Sequence, residues 1–105
     1  MTRQVKVGHR VYEIAFVTNG DIEADGHWGE CDKRRGIIRV ASNGRPRDAQ
    51  AETLVHEILH ALIEDTGREW DDDEEELIVS RLSPRLTAFV RDNATLVGEL
   101  LQMLA

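Results

Sequence analysis

The run His56-Glu57-Ile58-Leu59-His60 sets two histidines four residues apart, with a glutamate directly after the first. On an α-helix that interval stacks the two imidazoles one turn apart on the same face, where two nitrogens can meet one metal ion. Neutral imidazole is a good zinc ligand, and an open catalytic zinc site commonly has three protein ligands with one position left for water. Glu57 lies about 100° round the helix from His56. It is therefore placed to take a proton from the activated water without ligating the ion, which is the position of a general base. The chemistry this predicts is metal-assisted hydrolysis.

Two histidines leave one ligand to find, and Glu74, Glu75 and Glu76 open the next helical segment after a short turn. Helical phase separates them. Glu75 points into the middle of an apolar face defined by Ile78, Leu82, Leu86 and Phe89, whereas Glu76 sits at its edge, which suits a ligand better. Ser80, one turn beyond Glu76, could hydrogen-bond a ligand histidine from outside the coordination sphere. Phase thus favours Glu76 as third ligand, with Glu75 the alternative and Glu74 third.

Several elements must hold these residues together. Val5, Val7, Val11, Ile14, Phe16 and Val17 fall in short β-like segments broken at Gly8-His9 and at Thr18 to Asp21, giving two strands or one bent hairpin. A second pair follows, with His27 to Cys31 as a strand, Asp32 to Gly36 as a turn and Ile37 to Ala41 as the next strand. From Pro46 the period becomes helical through Ala51, Leu54, Val55, Ile58, Leu59 and Leu62, and Gly67 suits the stop, so the motif helix is expected over about 47–66. Asp71, Asp72 and Asp73 supply caps for a second helix carrying Ile78, Val79, Leu82, Leu86, Phe89 and Val90 on one face. Pro84 predicts a kink or break within it. A last helix, about Ala94 to Leu104, would either close the core or offer an oligomer surface. The expected fold class is α+β: a small antiparallel or mixed sheet from the N-terminal half, packed on the motif helix, with a second ligand-bearing helix and a short C-terminal one.

The 105 residues suggest one domain spanning 1–105, and 41% hydrophobic with 31% charged residues describes a chain that folds. A net charge of −7 sets it against a nucleic-acid backbone, so no nucleic-acid partner is expected. No apolar run approaches the ~20 residues of a membrane span, and Met1 to Val7 lacks the apolar centre of a signal peptide. With Cys31 as the single cysteine, no internal disulfide can form, and a cytoplasmic location is expected. Cys31 itself reads as a small, partly buried apolar side chain.

The stretch Thr53-Leu54-Val55-His56-Glu57-Ile58-Leu59-His60-Ala61-Leu62, followed by Glu75-Glu76 leading into Val79 and Leu82, resembles the gluzincin-like minimal zinc metallopeptidases, including small phage-type zincins and the ImmA/IrrE-like peptidases. The likeness covers roughly residues 27–90. It implies zinc held by His56, His60 and Glu76, with Glu57 as catalytic base, and Glu76-Leu77-Ile78-Val79-Ser80 follows the order usual around the third ligand. It also implies that the strand Ile37 to Ala41 is the sheet edge lining the cleft, where an extended peptide or protein substrate could add as another strand. The chain departs from larger gluzincins in lacking a second subdomain and a clear helper histidine or tyrosine; His9, Tyr12 and His27 are the candidates.

Three functions compete on this reading. The first is a zinc peptidase of narrow specificity, the second a zinc-stabilised interaction module of phage or mobile-element origin with weak or latent catalysis. The third is a metal-free helical binding domain whose acidic run, Asp71 to Glu76, is only a solvated helix start. Oligomeric state is left open by the sequence.

Overall fold

A computed structural model describes residues 3–22 and 27–105. In chain order the elements are β1 (Gln4–Val7), β2 (Arg10–Val17), a 3-10 turn (Asn19–Asp21), β3 (Gly29–Asp32), β4 (Ile37–Ala41), α1 (Arg47–Asp65), α2 (Asp72–Asp92) and α3 (Ala94–Leu104). The fold is α+β, with a four-stranded mixed sheet in the order β1-β2-β4-β3. β1 and β2 form an antiparallel hairpin, β2 and β4 run parallel, and β3 pairs antiparallel with β4. The tight β3–β4 turn is closed by Gly36 N–H on Asp32 O at 2.8 Å, and Gly36 sits at φ +72°, where a side chain would be strained.

This topology corrects one expectation. β4 is an interior strand, bonded on one side to β2 and on the other to β3, so it cannot accept a further strand. Of the two edge strands, β3 is the one that lies against Glu57. Sequence pattern marks a strand by its alternation, but which neighbours it acquires depends on contacts far along the chain.

The core lies between sheet and α1. Val7, Tyr12, Ile38, Val40 and Ala61 form its buried cluster, with Leu54 and Ile58 packed against it. Leu54, Ile58 and Ala61 recur at four and three residues, the stripe that lets one helix face cover a sheet. α1 is preceded by Pro46, whose fixed φ needs no backbone donor, and is followed by Gly67 at φ +75°.

α2 begins as expected, with the Asp71 carboxylate accepting from Asp73 N–H at 2.9 Å and four acidic residues in a first turn where the helix dipole favours negative charge. It then departs from expectation twice. The helix runs unbroken through Pro84. The backbone bond that proline removes is the one to the Ser80 carbonyl, at an exposed position where solvent can serve it. The packing face is also rotated: Val79 and Ser83 are buried, whereas Ile78, Leu82, Phe89 and Val90 are each more than 40% exposed. α2 packs mainly on α1, through the Val79 and Ser83 face, and its Ile78, Leu82, Phe89 and Val90 stripe is left largely exposed among the described residues. α3 has no buried residue and does not close the core.

Candidate metal centre

α1 carries His56, Glu57 and His60, and the short turn at Thr66–Asp71 returns the chain so that the first turn of α2 faces them. The two imidazoles stand with ring centroids 5.0 Å apart at an interplanar angle of 62°. Glu76 spans them: its Oε1 is 3.0 Å from His56 Nε2 and its Oε2 is 2.9 Å from His60 Nε2. His56, His60 and Glu76 each offer a ligand atom, and these atoms all lie within 4.8 Å of one another. One carboxylate and two imidazoles with ligand atoms this close together could hold a metal ion, and this donor set is of a kind that fits zinc.

The other ring nitrogens are occupied. His60 Nδ1 is 2.6 Å from Glu75 Oε2, and assigning the ring hydrogen there leaves Nε2 toward Glu76 as the coordinating atom. Glu75 is in turn 3.8 Å from Lys33 Nζ, which also pairs with Glu64 at 3.4 Å, so the β3–β4 turn is linked to both helices. His56 Nδ1 faces the buried Ser83 hydroxyl at 3.4 Å, a long contact. Ser80 does not reach a histidine; its hydroxyl donates to Glu76 Oε1 at 3.0 Å. Burial raises the Glu76 carboxyl, but the Ser80 hydrogen bond and the two imidazoles outweigh it and leave Glu76 below the usual carboxylate range. Burial, partly opposed by Glu76, lowers the His56 imidazole, which favours the neutral form a metal needs.

Phase placed Glu75 and Glu76 by reference to the wrong face. The face α2 turns to α1 is that of Val79 and Ser83, so Glu75 is directed inward with its side chain 16% exposed, while that of Glu76 is 50% exposed. The structure nonetheless groups Glu76 with the two histidines and gives Glu75 the outer side of His60. Glu74 is exposed and takes no part in the cluster.

Glu57 is 7% exposed, and burial pushes its carboxyl up to about 7 in the metal-free protein, opposed by His60 and assisted by Glu76 and Glu30. It borders two cavities, of about 400 Å3 and about 230 Å3, that flank the ligands and also share His56, Glu76 and Gly29. Gly29 is a site residue the sequence reading did not single out. A Cβ there would come within 2.6 Å of Thr53 Cγ2 and 3.1 Å of Glu57 Oε2, so only glycine lets β3 press against α1 at this point. An isolated glycine inside a strand pattern is the signal that marks such an approach.

The three helper candidates are sorted by position. Tyr12 is 2% exposed in the core, and His9 lies in the β1–β2 turn, bordering neither cavity. His27 borders both. Cys31 lines the smaller cavity, but burial, with Glu57 second, pushes its thiol up to about 12, so it is a neutral thiol outside the ligand cluster. No helix among the described residues is long and apolar enough to cross a membrane. Comparison with protein-family models, with curated proteins and with solved structures gave no match, so the site stands on its own geometry.

Proposed function

We propose that this chain is a minimal gluzincin-like zinc peptidase, cytoplasmic in location, that hydrolyses peptide bonds in a peptide or protein substrate. The observation that carries this reading is the clustering of His56, His60 and Glu76, whose ligand atoms lie within 4.8 Å of one another, with the buried Glu57 bordering the same cavities. Zinc, when bound, supplies Lewis acidity that polarises a carbonyl and eases loss of a proton from water. Glu57 accepts that proton and passes it to the leaving amine, a role suited by a carboxyl raised toward neutrality. Glu75 fixes the tautomer and orientation of His60, and Ser80 steadies Glu76. β3, the edge strand bordering both cavities, is where an extended substrate would add and pass Glu57.

Metal content by mass spectrometry, beside hydrolysis of a peptide library, tests this. Wild type is expected to hold near one zinc per chain and to cleave. Glu76→Ala loses the metal, whereas Glu75→Ala retains it with affinity reduced on the order of 10–100-fold. Glu57→Gln keeps the metal and loses hydrolysis. A folded wild type that takes up no zinc would sink the proposal; zinc without turnover on any peptide would favour a metal-stabilised interaction module.

A further inference from the structure

The larger cavity beside the cluster carries one arginine, Arg45, in its lining. Arg45, half-buried just before α1, lies over the Trp28 ring with Cζ 4.6 Å from the centroid. Its Nη1 donates to Ala41 O at 2.7 Å, and its Nη2 donates to Ala49 O at 3.2 Å and to Thr53 Oγ1 at 2.7 Å. These bonds occupy three of the five N–H groups a guanidinium carries, leaving Nε–H and one Nη1–H without a partner among the described residues. No carboxylate pairs with it among the described residues, although Glu52, Glu57 and Glu76 border the same cavity in a chain of net charge −7.

A partly buried cation without a counter-ion is costly, and this one is held rigid by three hydrogen bonds and a ring, so little entropy remains to be lost when an anion arrives. Its partner Thr53 also packs toward Gly29 beside Glu57 and lies about one helical turn before Glu57 on α1. One turn rises about 5.4 Å, which an extended peptide covers in about two residues at ~3.3 Å each.

We infer that Arg45, seated on Trp28, receives a carboxylate of the substrate within two residues of the scissile bond. This rests on the zinc-peptidase reading and names its substrate class: chains carrying either an acidic side chain or a free C-terminus at that point. Carboxylate is the shared chemistry, because a planar guanidinium presents paired donors to a planar anion.

Three malonyl hydroxamates distinguish the sources, since the hydroxamate chelates zinc and fixes the register. One carries glutamate amide, one glutamine amide, and one glutamine with a free α-carboxylate; dissociation constants are read by calorimetry on zinc-loaded protein. At least one of the two acids is expected to bind wild type about tenfold or more tighter than glutamine amide, and which one does so identifies the source. In Arg45→Gln that ratio falls to about one, with zinc content serving as the check that the variant folds. Arg45→Lys, which keeps the charge but loses the fork, gives an intermediate ratio and serves if Arg45→Gln does not fold. Equal binding of all three by wild type, or a ratio undiminished in both variants, overturns the assignment while leaving the peptidase reading intact. Zinc-loaded wild type that binds none of the three removes both.

Discussion

At the scale of single residues, the centre is a set of groups each held by a second one. Glu57 is the exception, a nearly buried carboxyl without an ion-pair partner among the described residues, and its raised pKa is a statement about stability as well as chemistry. A carboxyl at about 7 in the folded chain and 4.5 in the unfolded one binds its proton more tightly when folded. Its favourable contribution is present below about 4.5 and is lost as pH rises through about 7. Metal-free Glu57→Gln should therefore be more stable than metal-free wild type at pH 8, by up to about 3 kcal/mol, and the gap should narrow toward pH 5. Urea denaturation in chelator at both pH values checks this, and because His56 titrates in both proteins, the difference isolates Glu57. A gap independent of pH would show that Glu57 is solvated.

At the scale of elements, two contacts position the site: β3 on α1, and α1 on α2. The first depends on Gly29. Gly29→Ala must displace Thr53 and crowd Glu57, and we expect a loss of about 1–3 kcal/mol together with reduced turnover, read by denaturant unfolding and peptide hydrolysis. A neutral Gly29→Ala would mean the strand is free to move away. The second contact is carried by Val79 and Ser83 and not by the larger apolar residues beside them. Val79→Ala should cost more stability than Leu82→Ala, about 2 kcal/mol against less than about 1, although leucine loses more atoms. Unfolding curves of the two variants decide it. The reverse order would mean that the Ile78, Leu82 and Phe89 stripe is covered in solution.

At the scale of the whole molecule, the ligands come from two helices joined by a short turn, so a metal at this point acts as a cross-link between α1 and α2. The metal-free fold relies on the sheet-to-α1 core, with α2 attached by one narrow face. Removing zinc with a chelator should lower the melting temperature, and hydrogen exchange should quicken in α2 before it does in α1 or β4. Free zinc at a thousand times its dissociation constant corresponds to about 4 kcal/mol of stabilisation. Melting and exchange that ignore the chelator would place the metal elsewhere or nowhere.

The sequence by itself determined what local periodicity can encode. A four-residue histidine interval inside a helical pattern already puts two imidazoles on one face, and the caps at Pro46, Gly67 and Asp71 already bound α1 and open α2, because these are properties of neighbouring residues. The strands of β3 and β4 were legible for the same reason. What only the tertiary structure decided was which surfaces meet. β4 became interior because β2 pairs with it across a connection of some twenty residues, a choice no alternation pattern contains. α2 turned Val79 and Ser83 inward against α1, its main packing partner, which gave Glu75 and Glu76 their different places around His60. Gly29 against Glu57 and Arg45 on Trp28 are likewise contacts between residues distant in the chain, fixed by packing and invisible to spacing.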